Sequence, residues 1–149
     1  MKQIIVLFML SISGLLIAQE SEQPKIEELH NRKWEFIVQK SQLTTKEAAR
    51  VKPLFWEYEN AVWKTMEENR EFFRGFYRNK QNRSEAQYLE MNERYINAEI
   101  QKSHLLKIYY AKLKKQLSSE SVFKYFSAER SFRKELMDKW QDRPQGHRK

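Results

Sequence analysis

The chain has 149 residues, about the length of one domain, and it carries 28 Lys and Arg against 20 Asp and Glu, a net charge of +8. It contains no cysteine, which excludes disulfides, thiolate metal sites and cysteine nucleophiles. Glycine and proline occur only three times each, and this argues against hairpin-rich β folds, dinucleotide-binding turns and phosphate-binding loops, which need backbone at positive φ.

Residues 1–18 have the three-part layout of a secretory signal peptide. A short positive start precedes an apolar run at 4–17, and Ala18 is a small residue at a cleavage boundary. The run is shorter than the roughly 20 apolar residues that a transmembrane helix needs. An uncleaved anchor is the alternative, since Leu16 is large for its place before the cleavage site. We predict periplasmic export with cleavage near Ala18 and one helical domain over 19–140.

The charge that remains after residues 1–18 is +7, from 27 basic and 20 acidic residues. Summed by predicted segment, it is −1 over 19–43, +3 over 44–84, +2 over 85–117 and +3 over 118–149. No segment is a pure basic run, so this distribution favours solvated helix faces. Together with export, it argues against a nucleic-acid partner.

The first two helices are predicted from their ends. A proline opens the first, residues 24–41, and apolar residues recur along it at helical spacing. Thr44 as N-cap and Glu47 three residues later form a capping box, and Leu43 is placed to pack on the first turn. A second, longer helix is therefore predicted over residues 45–77.

Two further helices follow the same logic. Residues 78–83 are a polar link, and Ser84 begins another capping box. Leu117 and Ser118 repeat the pattern of Leu43 and Thr44, an apolar residue followed by an N-cap. They mark the start of the fourth predicted helix. The tail, residues 141–149, has no apolar residue, and we predict that it is disordered and basic.

The third predicted helix carries a stripe of apolar residues that we expect to form its packed face: Leu89, Ile96, Ile100, Leu106, Tyr110, Leu113 and Leu117. On the fourth helix we expect packing through Val122, Phe126, Leu136 and Trp140, with Phe123 and Phe132 on its flanks.

No pattern indicates a strand. The predicted fold is all-α, with four helices, two of them long, in an elongated antiparallel hairpin-type arrangement. The chain has 4 Trp, 7 Tyr and 9 Phe, more than a thin helical layer can bury. We therefore expect a homodimer or an apolar working surface.

Segments 43–48 (LTTKEA) and 51–58 (VKPLFWEY) resemble the Spy/CpxP-like family of periplasmic proteins, which carry an LTxxQ motif at a helix start. That family has a second copy near the C-terminus, and residues 117–121 (LSSES) occupy the corresponding place here. Glu47 stands where the first motif has glutamine, and Ser121 where the second would have it.

The resemblance implies four helices whose long members form an antiparallel, cradle-shaped dimer. It also implies one of three functions: an ATP-independent periplasmic chaperone, an inhibitor of an envelope-stress sensor kinase, or a metal-responsive sensor upstream of an extracytoplasmic sigma factor. Fold alone does not choose between them.

The predicted binding surface combines aromatic and arginine side chains on the second helix, where apolar area and cations could hold unfolded chains weakly. It comprises Trp56, Trp63, Arg70, Phe72, Phe73, Arg74, Phe76, Tyr77 and Arg78. The alternative for its aromatic residues is burial in a dimer or hairpin core.

Metal binding and catalysis have weaker signals. His30 lies near Glu27 on the first helix, but no paired histidine spacing supports a metal site, so no metal or cofactor is predicted. We also expect no enzymatic activity and no small-molecule substrate, since no paired carboxylates or glycine-flanked serine can be identified.

The sequence thus favours an exported holdase, a chaperone that binds unfolded envelope proteins without ATP. The alternative is a periplasmic regulator that binds one membrane signalling protein, such as a sensor kinase or an anti-sigma factor.

Overall fold

The computed structural model describes residues 23–78 and 83–141, apart from the side chains of Gln23, Pro24 and Trp140. Within these residues the chain forms four helices and no strand, which confirms the predicted all-α class. The helices are α1 (Gln23–Ser41), α2 (Thr45–Arg78), α3 (Glu85–Leu113) and α4 (Ser119–Gln141).

Two predicted segments lie wholly or almost wholly outside the described residues. The predicted signal peptide, 1–18, is one of them. The other is the predicted tail, 141–149, of which the structure describes only Gln141, the last residue of α4.

All three predicted caps are present. Thr44 Oγ1 accepts from the Glu47 amide at 3.2 Å while the Glu47 carboxylate accepts from the Thr44 amide at 3.0 Å, which completes a capping box. Ser84 and Gln87 form the same reciprocal pair at α3. At α4, the Ser118 hydroxyl accepts from the amide of Ser121. Each cap satisfies amide donors that a helix start leaves without partners.

Helices α2 and α3 form a long antiparallel hairpin. The rings of Tyr58 and Tyr109 stack with centroids 4.4 Å apart at one end of it, and Phe72 lies against Arg94 towards the other. At about 1.5 Å per residue, the 34 residues of α2 extend about 50 Å.

Helices α1 and α4 pack on each other and on one end of this hairpin. The rings of Phe36 and Phe132 lie 5.5 Å apart, and Trp34 contacts Phe55 of α2 at 5.2 Å. We call this end the base. Its core is a cluster of buried residues drawn from all four helices and two of their connections: Trp34, Ile37, Leu43, Val51, Phe55, Tyr109, Leu113, Leu117, Val122, Tyr125 and Ala128.

Beyond the base the hairpin continues as two helices only. We call this part the arm, residues 61–78 of α2 and 85–104 of α3. Among its described residues, only Thr65 and Met91 are buried. A pair of helices has no third layer to cover its outer faces, so the apolar residues there stay in contact with solvent.

The predicted packed face of α3 is wrong. Of its seven residues only Leu113 and Leu117 are buried, and Leu117 follows the end of α3. The helix packs through Met91, Tyr109 and Leu113 instead. At about 100° per residue, Ile96 and Ile100 lie about 140° and 180° around the helix from Met91.

The expected packed face of α4 also needs correction. Phe132, placed on a flank, is buried, and so is Tyr125, which the apolar pattern omitted. Phe123, on the other flank, is exposed. The Tyr125 hydroxyl is 2.6 Å from that of Tyr109, and this hydrogen bond allows a polar residue to occupy the core.

Candidate functional site

The structure divides the predicted aromatic and arginine surface between different sides of α2. Phe72 and Phe76 are half-buried against the α3 side of the hairpin, where the guanidinium of Arg94 lies 3.9 Å from the Phe72 ring and that of Arg83 lies 4.0 Å from the Phe76 ring. These two rings take part in hairpin packing, which was the alternative to a place on the binding surface.

The remaining residues of the surface are more open. Tyr77 is 69% exposed, and Arg70, Arg74 and Arg78 are exposed. Phe73 is half-buried, edge-on to Phe72. Together they place cations and apolar area at the far end of the arm.

Trp56 and Trp63 line a cleft between α1 and α2. The cleft has a volume of about 370 Å³, and its other lining residues are Ile26, Glu27, His30 and Asn60. Trp56 packs edge-on to the His30 ring at 5.6 Å, so one indole belongs both to the cleft and to the packing of the base.

Most of the exposed large apolar side chains of the described residues lie on α3, where eight are 41–61% exposed. All of these except Ile108 share one side of the helix, and we call these seven the α3 stripe: Tyr88, Leu89, Tyr95, Ile96, Ile100, Leu106 and Tyr110. The sequence pattern identified five of the seven, but it assigned them to the core.

Charge is polarised along α3. Residues 85–99 contain four glutamates and one arginine, whereas residues 100–113 contain three lysines and no acidic residue. The charge sum over the whole predicted segment concealed this asymmetry, because the two halves nearly cancel. The α3 stripe therefore begins beside acidic side chains and ends beside lysines.

A charged cluster lies buried in the base, and no pattern in the sequence indicates it. The ammonium of Lys33 on α1 donates to Glu59 of α2 at 2.6 Å and to Glu129 of α4 at 3.1 Å. These three side chains are 11%, 11% and 8% exposed. His30 Nε2 lies 3.7 Å from Glu59, and His30 Nδ1 is buried with no hydrogen-bond partner among the described residues.

Burial shifts the proton affinities of this cluster in opposite directions. It raises the pKa of Glu59, which the nearby Glu129 carboxylate reinforces and Lys33 opposes. Burial, helped by the charge of Lys33, lowers the pKa of His30. Burial together with both carboxylates raises the pKa of Tyr58 to about 12. At a given pH the folded protein therefore protonates His30 less than the unfolded chain does.

This depressed pKa predicts a specific pH dependence. Below pH 6.5 protonation of His30 favours the unfolded chain, because burial lowers the pKa of the folded imidazole, so His30 removes stability as the pH falls. We expect the free energy of unfolding of the wild type, relative to a His30→Gln variant, to fall between pH 7 and pH 5.5. Urea denaturation of both proteins measures this difference. A difference independent of pH would contradict it.

The two motif copies lie against each other at the base. The hydroxyl of Ser121 donates to Glu47 at 3.4 Å, and the Arg50 guanidinium donates to the carbonyl oxygen of Gln116 at 3.0 Å. Glu47 and Ser121 thus contact one another, and they join the start of α2 to the start of α4.

In the described part of the chain, no three His, Asp or Glu side chains are grouped so as to hold a metal ion. Over the same residues, none of the helices is at once apolar and long enough to cross a membrane.

No family model, curated protein or solved structure matches the chain. Its resemblance to the Spy/CpxP-like family stays a prediction based on the motif residues.

Proposed function

We propose that the protein is an exported, homodimeric holdase that binds unfolded segments of envelope proteins without ATP. The observation that carries the proposal is that apolar side chains stay exposed on both helices of the hairpin, as a row on α3 and beside arginines on α2. Isolated exposed apolar residues are ordinary, but a row of them along one helix is typical of a protein interaction surface. The N-terminal sequence pattern and the motif residues support export and the chaperone class.

The α3 stripe is the proposed contact with a second copy. Its charge polarity favours an antiparallel pair, because the acidic half of one α3 then lies along the lysine-rich half of the other. For a pair centred on Ile100, Glu93 of each chain falls opposite Lys107 of its partner. A parallel pair would place like charges together, which is unfavourable.

The proposed client surface is the open side of the arm on α2. Met66 and Tyr77 provide exposed apolar area there, and Arg70, Arg74 and Arg78 provide cations. Weak apolar contact would hold an unfolded segment, and positive charge would speed its encounter with acidic clients.

A light-scattering assay tests the holdase. A chemically unfolded client is diluted into buffer with residues 19–149, which include every described residue, and no nucleotide is added. Suppression of aggregation at near-stoichiometric ratios, weakening as salt rises, would support the proposal. No suppression over several unrelated clients would overturn it in favour of a regulator with one membrane partner.

Reversing two cations of the client surface gives a sharper prediction. Arg70→Glu with Arg74→Glu is expected to weaken capture of an acidic client and to flatten its salt dependence, since exposed charges act mainly on the encounter. Arg130→Glu with Lys134→Glu, also exposed but on α4, makes the same change in net charge away from the arm. If the two double variants reduce suppression of client aggregation equally, this surface does not attract acidic clients by its charge.

A further inference from the structure

The cleft between α1 and α2 combines aromatic rings with carboxylates. Trp56 and Trp63 are separated by about 10 Å along the helix, and Asn60 lies between them. Indole is the side chain whose face attracts cations most strongly. The chain already shows this preference here, because the guanidinium of Arg70 lies 5.8 Å from the Trp63 ring.

One carboxylate belongs to the lining of the cleft, and a second lies beyond its end. Glu27 contributes an exposed carboxylate to its lining. One turn beyond Trp63, Glu67 accepts a hydrogen bond from Arg70 through Oε1, while its Oε2 is buried and has no hydrogen-bond partner among the described residues.

The lining contains no Lys or Arg, and the guanidinium of Arg70 lies beside it, 5.8 Å from the Trp63 ring. His30 also lines the cleft, and burial lowers the pKa of its imidazole, so it carries less positive charge than a free histidine at the same pH. The ammonium of Lys33, about one turn along α1 from His30, is held between Glu59 and Glu129. In a chain with a net charge of +8, this is a local site where a cation meets two indoles and a carboxylate.

We propose that this cleft binds an organic cation, a guanidinium or alkylammonium group, through the indoles of Trp56 and Trp63 and the carboxylate of Glu27. Its volume of about 370 Å³ lies at the lower end of the range for small-ligand sites, which suits one such group. The cation comes either from an arginine or lysine of a bound polypeptide or from a free amine. The site does not depend on the proposed holdase function.

The test follows the indole N–H signals of the ¹⁵N-labelled protein by NMR, with those of Trp56 and Trp63 assigned through single replacements. The probes are N-acetyl-arginine amide, its neutral isostere N-acetyl-citrulline amide, choline, and the neutral isostere of choline, 3,3-dimethylbutanol. Saturable shifts with a charged probe and none with its neutral counterpart are the expected result. Arginine amide alone would identify a polypeptide cation, choline alone a free amine, and both a general organic-cation site.

Two variants locate the effect. Trp63→Leu is expected to abolish the saturable shift at Trp56, and Glu27→Gln to raise the dissociation constant about threefold to fivefold. Glu28→Gln removes a neighbouring exposed carboxylate outside the lining and is expected to change nothing. Equal responses to charged and neutral probes, no response to any probe, or equal effects of Glu27→Gln and Glu28→Gln would overturn the proposal. The aggregation assay is independent of these outcomes.

Discussion

Replacing Lys33 with methionine is expected to lower the free energy of unfolding by about 3–5 kcal/mol at pH 7. The ammonium of Lys33 is the group that both Glu59 and Glu129 contact, so the variant leaves two buried carboxylates without this cation. Methionine keeps much of the volume of the lysine stem, which limits any loss from packing. Urea denaturation followed by helical circular dichroism measures the change.

Two controls distinguish the effect of stranding buried carboxylates from the general effect of losing a lysine. Lys102→Met removes the cation of a surface pair with Glu99, and we expect it to cost less than about 1 kcal/mol. Adding Glu59→Gln to Lys33→Met removes one of the two stranded carboxylates and should restore part of the loss. A Lys33→Met variant no less stable than Lys102→Met would show that the cluster does not stabilise the base.

Placing glutamates at Ile96 and Ile100 is expected to raise the dissociation constant of the proposed dimer at least about 100-fold, converting it to a folded monomer. Each substitution removes apolar contact, and the carboxylates introduced at residue 100 of the two copies then face each other at the centre of the antiparallel pair, an effect of several kcal/mol in sum. Both residues are more than half exposed in the single chain, so its own fold should persist. Light scattering coupled to size exclusion reports the mass, and circular dichroism the fold.

The matched control replaces two other exposed apolar residues with glutamate. Phe123→Glu with Met137→Glu changes α4, where the side chains are 67% and 62% exposed, and the dimer should survive. Loss of the dimer in this control, or its persistence in the α3 variant, would exclude the α3 stripe as the contact.

Charge exchange tests the antiparallel direction separately. Glu93→Lys or Lys107→Glu alone should weaken the dimer, since each sets like charges opposite one another. The two together in one chain should restore it, because residue 93 of each copy again faces an opposite charge at 107. A double variant weaker than either single one would contradict the antiparallel pairing.

The helix starts were predictable because capping is local. Thr44, Ser84 and Ser118 each act on amides within three residues, so a short window contains all that determines the helix start. The choice of packed face on α3 is not local. Both the Met91–Tyr109 face and the α3 stripe are apolar, and only the contact with α2 selects between them.

The candidate sites were predictable only where they depend on residues of one helix. Periodicity located the aromatic residues of α2, but it could not show that Phe72 contacts Arg94 from another helix. The buried charged cluster was beyond prediction, because Lys33, Glu59 and Glu129 lie on three helices and each alone is typical of a solvated face. The pairing of the Lys33 ammonium with the two carboxylates depends on tertiary contact.

Because the core is confined to the base, the free energy of local unfolding differs between the base and the arm. Amides near Phe55 and Leu113 should exchange with deuterium only through global unfolding, whereas those of the arm should exchange through local fraying. Gly75 adds to this, since a glycine within a helix costs about 1 kcal/mol relative to alanine. The arm can therefore open locally while the base stays intact.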